Sequence, residues 1–121
     1  MRPFRLTAAA LGAAALIAPT AASAATPIKV SEKEFSISGI PKTLKRGVKY
    51  TVTLNNKGKY PHDLLFDGKK VEDVGVHNKH AVKPGGTASF SITFPAAGTY
   101  EFYCAIKGHA AKGMKGEVKV T

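Results

Sequence analysis

Only one cysteine, Cys104, occurs among the 121 residues, and tryptophan is absent. A single thiol cannot close an internal disulfide, so it is buried, paired between chains or bound to a metal. Methionine is almost as scarce: apart from Met1 there is only Met114. Acidic side chains are few, 8 against 18 Lys and Arg, for a formal net charge of +10. No segment past residue 24 keeps a 3.6-residue apolar period long enough for a major helix, which excludes a helical bundle. No apolar run in that region approaches a membrane span. The lysines are scattered, and no RNA- or DNA-binding motif accompanies them, so the basic excess does not point to a nucleic-acid partner.

What is present begins with an export signal. Arg2 and Arg5 give a basic start, Leu6 to Ala18 is an apolar run, Pro19 breaks it, and Ala22-Ser23-Ala24 is a small-residue cleavage site. The expectation is a secretory signal over residues 1–24 and one domain over residues 25–121, exported to a periplasmic or other extracytoplasmic space. Without Arg2 and Arg5 the remainder carries about +8, nearly all from Lys. An exported thiol meets an oxidising compartment, where an exposed, reactive cysteine is a liability.

The domain reads as β throughout. Val48, Tyr50, Val52 and Leu54 alternate onto one face, as do Phe90, Ile92 and Phe94; Tyr100, Phe102 and Cys104; and Val118 and Val120. Shorter candidates are Ile28–Val30, Glu34–Ser38, His62–Phe66 and Val71–Val76. Turn residues separate them, among them Pro41, Arg46-Gly47, Asn55-Asn56-Lys57-Gly58 and Pro84-Gly85-Gly86. Seven or eight short strands at this spacing predict an all-β fold, a two-sheet antiparallel sandwich. By parity the Cys104 sulfur points inward at one end of the sandwich, with residues 105–115 folding over that end.

That loop concentrates the chemistry. Cys104, His109 and Met114 follow one another at five-residue intervals among Gly and Ala, and His62 stands upstream, where it would open a strand. Taken singly, each has an ordinary explanation: a solvated histidine, a small buried thiol, a core methionine. Together they offer a thiolate, two imidazoles and a thioether, the soft donor set of a trigonal copper site with a weak axial Met. His77 and His80, in a loop-like stretch, read as solvated side chains, with a weaker second metal site as the alternative.

At His62, Tyr103-Cys104, Gly108-His109 and Met114-Lys115-Gly116 the chain resembles the cupredoxins, the small blue-copper proteins. The Cys-x4-His-x4-Met loop is most similar to that of the azurin, rusticyanin and auracyanin members. The resemblance implies a Greek-key sandwich holding one Cu(I)/Cu(II) ion, with His62, Cys104 and His109 as strong ligands and Met114 axial. It implies outer-sphere transfer of single electrons and not enzymatic turnover. It also implies a surface edge at His109, framed by Ala110, Ala111, Ile106 and Pro61. Lys107, Lys112 and Lys115 around it suggest a redox partner with an acidic surface, met by a monomer. Asp63 and Ala105 stand where many members carry Asn and Thr or Ser. The expectation is that Asp63 accepts a backbone N–H near Ala105 instead. Two other readings stay open here: a copper delivery or storage protein using the same ligands, and a metal-free sandwich serving as an interaction module.

Overall fold

The computed structural model describes residue 12 and residues 24–69, 71–77 and 80–121; the side chain of residue 72 is not described. The signal expected over residues 1–24 thus lies almost wholly outside the described residues. Among those described, no helix is long and apolar enough to cross a membrane.

Among the described residues nine strands form in chain order: β1 Thr26–Lys33, β2 Ser36–Ser38, β3 Thr43–Leu44, β4 Lys49–Asn56, β5 Leu64–Gly68, β6 Val71–Val76, β7 Thr87–Thr93, β8 Gly98–Tyr103 and β9 Lys115–Val120. They make a four-stranded sheet in the order β2-β1-β4-β7 and a five-stranded sheet in the order β3-β9-β8-β5-β6. The all-β sandwich is as expected, but it is not purely antiparallel. β1 runs parallel to β4, with Ile28 opposite Val52 and Glu32 opposite Asn56, and β3 runs parallel to β9. Both parallel pairs join segments distant in sequence, a pairing that local alternation does not reveal. Strand β3, two residues long, is too short to show a period.

The core is the meeting of the two inward faces. Val30, Val52, Leu54, Leu64, Phe66, Phe94 and Tyr100 are fully excluded from solvent. The Phe94 ring packs against Tyr100 at 4.8 Å and against Phe66 at 5.7 Å between centroids. At about 25 cal/mol per Å² of apolar surface removed from water, this burial is the main force holding the sheets face to face. The Tyr100 hydroxyl points at the carbonyls of Ala96 (2.7 Å) and Lys69 (2.9 Å), so the ring is buried without stranding its polar end.

One pole of this sandwich collects the ends of several strands. β1 runs out at Lys33, β4 at Asn56 and β8 at Tyr103, while β5 and β9 begin at Leu64 and Lys115. His62, Cys104 and Met114 sit one or two residues beyond such ends. Strand geometry therefore brings them together.

Candidate metal centre

His62 is held first by its backbone. It forms an isolated antiparallel bridge with Val82: its N–H donates to the Val82 carbonyl (3.1 Å), and the Val82 N–H returns the bond (2.7 Å). The expected strand start at His62 is thus displaced to Leu64, and the histidine is fixed as a bridge ahead of it. Asn56, buried at the end of β4, ties the approach down. Its Nδ2 donates to the carbonyls of Tyr60 (2.7 Å) and Val82 (2.8 Å), and its Oδ1 accepts from the Gly58 N–H (2.9 Å). The turn chemistry of Asn55-Asn56-Lys57-Gly58 is legible in the sequence, but Asn56 as the residue that anchors His62's loop is not.

Cys104 follows β8 and is fully buried, as its strand parity predicts. Its N–H donates to the Met114 carbonyl (3.0 Å), which brings the two ends of the loop side by side. Between them the chain closes in tight turns: His109 N–H to Ile106 O (2.9 Å), Gly113 N–H to Ala110 O (3.1 Å) and Met114 N–H to His109 O (3.2 Å). A 3-10 turn spans Ala110–Lys112. Gly113 ends it at φ 125°, a conformation that side-chain-bearing residues rarely adopt. Met114 is fully buried.

These constraints converge. One donor atom each from His62, Cys104 and His109 lies within 4.8 Å of the other two. The Nδ1 atoms of His62 and His109 face each other at 3.2 Å, and His109 Nδ1 is 3.6 Å from Cys104 Sγ. No other group of three or more His, Cys, Asp or Glu side chains gathers in this way among the described residues. His77 and His80 are exposed and are not part of it. Asp63, also buried, accepts the Ala105 N–H at 2.5 Å, the bond expected from the residues at these two positions. It ties the His62 segment to the Cys104 segment.

The electrostatics favour a cation here. Burial pushes the Cys104 thiol up to about 12, with the charges of Asp63 and Glu32 adding to the rise against two backbone hydrogen bonds. An anionic sulfur at this position is disfavoured unless a positive ion compensates it. Burial lowers the His109 imidazolium, helped by His62 and Lys112, so the ring is neutral with a lone pair at neutral pH. One thiol, two imidazoles and an adjacent buried thioether fit copper and leave little room for a hard, oxygen-seeking ion.

Two acidic residues near the site carry no signal in the sequence pattern. Glu34, expected within a strand, instead lies in the turn between β1 and β2, and its Oε1 is 3.0 Å from His62 Nε2. Burial alone would raise the Glu34 carboxyl, but the N–H groups of Tyr60, Glu34 itself and Lys59, with His62, outweigh it and bring it down to about 2. Glu32, on β1, is completely buried with neither oxygen hydrogen-bonded.

A small β-sandwich that gathers a thiol and two imidazole nitrogens at one pole is the frame of a mononuclear soft-metal protein. Comparison with known proteins carries this further. Residues 24–121 match the family described as copper binding proteins, plastocyanin/azurin family. A chloroplastic plastocyanin of Physcomitrium patens is 37% identical over 120 residues, covering 93% of this chain and 68% of the relative. Among solved structures, the dithionite-reduced auracyanin of Roseiflexus castenholzii superposes with a TM-score of 0.64 at 24% identity, over 81% of this chain and 98% of that one. A multicopper oxidase of Aquifex aeolicus shares the fold at a TM-score of 0.64 and 16% identity, but over only 26% of its own length. The chain belongs to the copper-binding plastocyanin/azurin family and is a blue-copper electron carrier. The loop resemblance to the cupredoxins is borne out at the level of the whole domain.

Proposed function

We propose that His62 Nδ1, Cys104 Sγ and His109 Nδ1 would hold the single copper ion as strong ligands with Met114 as the weaker fourth, and that the exported protein passes electrons through the His109 edge to a partner with an acidic surface. The observation that carries this reading is the convergence of the three donor atoms within 4.8 Å. The bond from the Cys104 N–H to the Met114 carbonyl supports the fourth, because it keeps the thioether residue beside the thiol.

When bound, copper supplies a one-electron Cu(II)/Cu(I) couple. The rest is done by the chain. His62, Cys104 and Met114 have no solvent exposure, and their backbones are fixed by the Val82 bridge and the closed loop. Donors held this firmly would move little if a bound ion changed charge, which would keep the reorganisation on electron transfer small. Four side-chain donors leave no position for a substrate, in contrast to an open catalytic metal site. The protein is accordingly a carrier and not an enzyme. The larger oxidases that share its fold contain it as a fraction of their length.

Only His109 among the four is partly exposed, so it is the short route between metal and surface. Ala110, Ile106 and the more exposed Ala111 and Pro61 surround it with small or apolar surface, and Lys107, Lys112 and Lys115 are exposed around them. A positive ring about an apolar contact steers an acidic partner into register and releases it quickly. The protein acts as a monomer in this scheme.

Burial of Cys104 and Met114 favours retention of the metal over delivery. Repeated oxidation and reduction of the copper-loaded protein in the presence of a Cu(I) chelator tests this. The expected result is full retention of copper over many cycles. Transfer of the metal to the chelator on each reduction would establish a delivery protein instead.

A further inference from the structure

Glu34 stands outside the four residues assigned to copper, yet it addresses one of them directly. Its Oε1 accepts the N–H of Lys59 (2.8 Å) and of Tyr60 (2.9 Å) and lies 3.0 Å from His62 Nε2. A carboxylate oxygen only accepts, so the ring nitrogen facing it carries the hydrogen. A neutral imidazole has one N–H. With that hydrogen on Nε2, the lone pair is on Nδ1, the atom that faces His109 Nδ1 at 3.2 Å. The two backbone bonds pin the oxygen, and Gly58 makes room for it: a Cβ there would lie 2.3 Å from Oε1. The adjacent Phe35 ring meets His109 edge-on at 5.3 Å, with Lys112 Nζ 4.6 Å from the ring centroid. One turn between β1 and β2 therefore touches both imidazoles.

We propose that Glu34 is a positioning residue for the copper centre: its carboxylate fixes His62 in the tautomer that presents Nδ1, and its negative charge, passed through the imidazole, favours Cu(II) over Cu(I). A carboxylate behind a ligating histidine raises the basicity of the ligand and orients the ring. The more positive ion gains more from that basicity, so the reduction potential is held down. This proposal rests on the ligand assignment above. A purely structural Glu34 would only cap the turn at residues 59 and 60, and the two roles separate experimentally.

The experiment compares wild type, Glu34→Gln and Glu34→Ala at neutral pH, copper-free and copper-loaded. Gln keeps an acceptor and loses the charge; Ala loses both. In the copper-free proteins, nitrogen NMR of the histidines reads the tautomer. His62 is expected as Nε2–H in wild type and Glu34→Gln, and as a tautomer mixture in Glu34→Ala. In the loaded proteins, the potential is expected to rise in both variants. Cu(II) affinity is expected to fall about 10–100-fold in Glu34→Ala, each tenfold loss relative to Cu(I) being about 59 mV. A lowered melting temperature with unchanged potential and unchanged His62 tautomer would mean a turn cap only and would overturn the proposal. A wild type that takes up no copper overturns the ligand assignment and the electrochemical half of this proposal together. In that case the copper-free tautomer still decides whether Glu34 sets the His62 lone pair.

Discussion

Replacing Glu32 with glutamine should remove most of a pH dependence in the stability of the copper-free protein. Glu32 is the last inward-facing residue of β1, fully buried, and neither carboxyl oxygen has a hydrogen-bond partner. Burial first, and the charge of Asp63 second, raise its carboxyl from the ordinary 4.5 to about 8. Between those two values the folded protein keeps a proton that the unfolded chain has already released. The folded state binds more protons there, so stability falls as pH rises through the window. At 1.36 kcal/mol per unit, the loss from about pH 5 to about pH 8 comes to about 3 kcal/mol. The assay is urea unfolding of wild type and Glu32→Gln at both pH values. Histidine titrations contribute to both proteins and cancel in the comparison, as does any pH-independent cost of burying the amide. Wild type should lose about 3 kcal/mol more than the variant over this range. Parallel losses in the two proteins would mean instead that Glu32 ionises in the folded protein as it does in water.

Other outcomes follow from single contacts. Asp63→Ala leaves the Ala105 N–H without its 2.5 Å acceptor; it should cost about 1–3 kcal/mol in urea unfolding and displace the visible spectrum of the copper-loaded protein, which an idle Asp63 would not do. Tyr100→Phe removes the hydroxyl that faces the carbonyls of Ala96 and Lys69; neither residue is buried, so stability should fall by about 0.5–1.5 kcal/mol with no change in potential. Gly39 sits at φ 97° with the Lys29 carbonyl oxygen 2.2 Å from where a Cβ would stand, so Gly39→Ala should destabilise by more than about 1 kcal/mol, read as a lowered melting temperature. Electron transfer to a partner with an acidic surface should slow as salt is raised, read by stopped-flow, and Lys112→Glu should flatten that dependence.

The fold and the metal ligands were unequally legible. Alternation along Lys49–Leu54 and Ser89–Phe94 exposes the inward faces because the period of a strand is local, and β4 and β7 lie there. The parity of Tyr100, Phe102 and Cys104 placed the thiol inside for the same reason. The parallel pairing of β1 with β4 left no trace, since register between distant strands is set by the closing of the sandwich and not by either segment. The loop ligands were readable because three chemically distinctive side chains occur at fixed spacing within eleven residues. His62 depended on its place before a strand, and the structure gives it an isolated bridge to Val82 instead. Glu34, Glu32 and Asn56 were not legible. Glu34 reaches a histidine beyond three intervening strands, Asn56 bonds two loop carbonyls and a turn N–H, and Glu32 is buried without a hydrogen-bond partner; an acidic or amide residue near a turn is the commonest of surface features. Only their burial and bond partners set them apart.

The visible absorption spectrum of the copper-loaded protein, recorded beside that of Cys104→Ser, decides whether the Cys104 sulfur binds the metal. A thiolate bound to copper in a trigonal site should give an intense band that reductant bleaches and oxidant restores, and the serine variant should lack it entirely. A colourless or only faintly blue wild type, or a band that survives the loss of the Cys104 sulfur, would contradict the account.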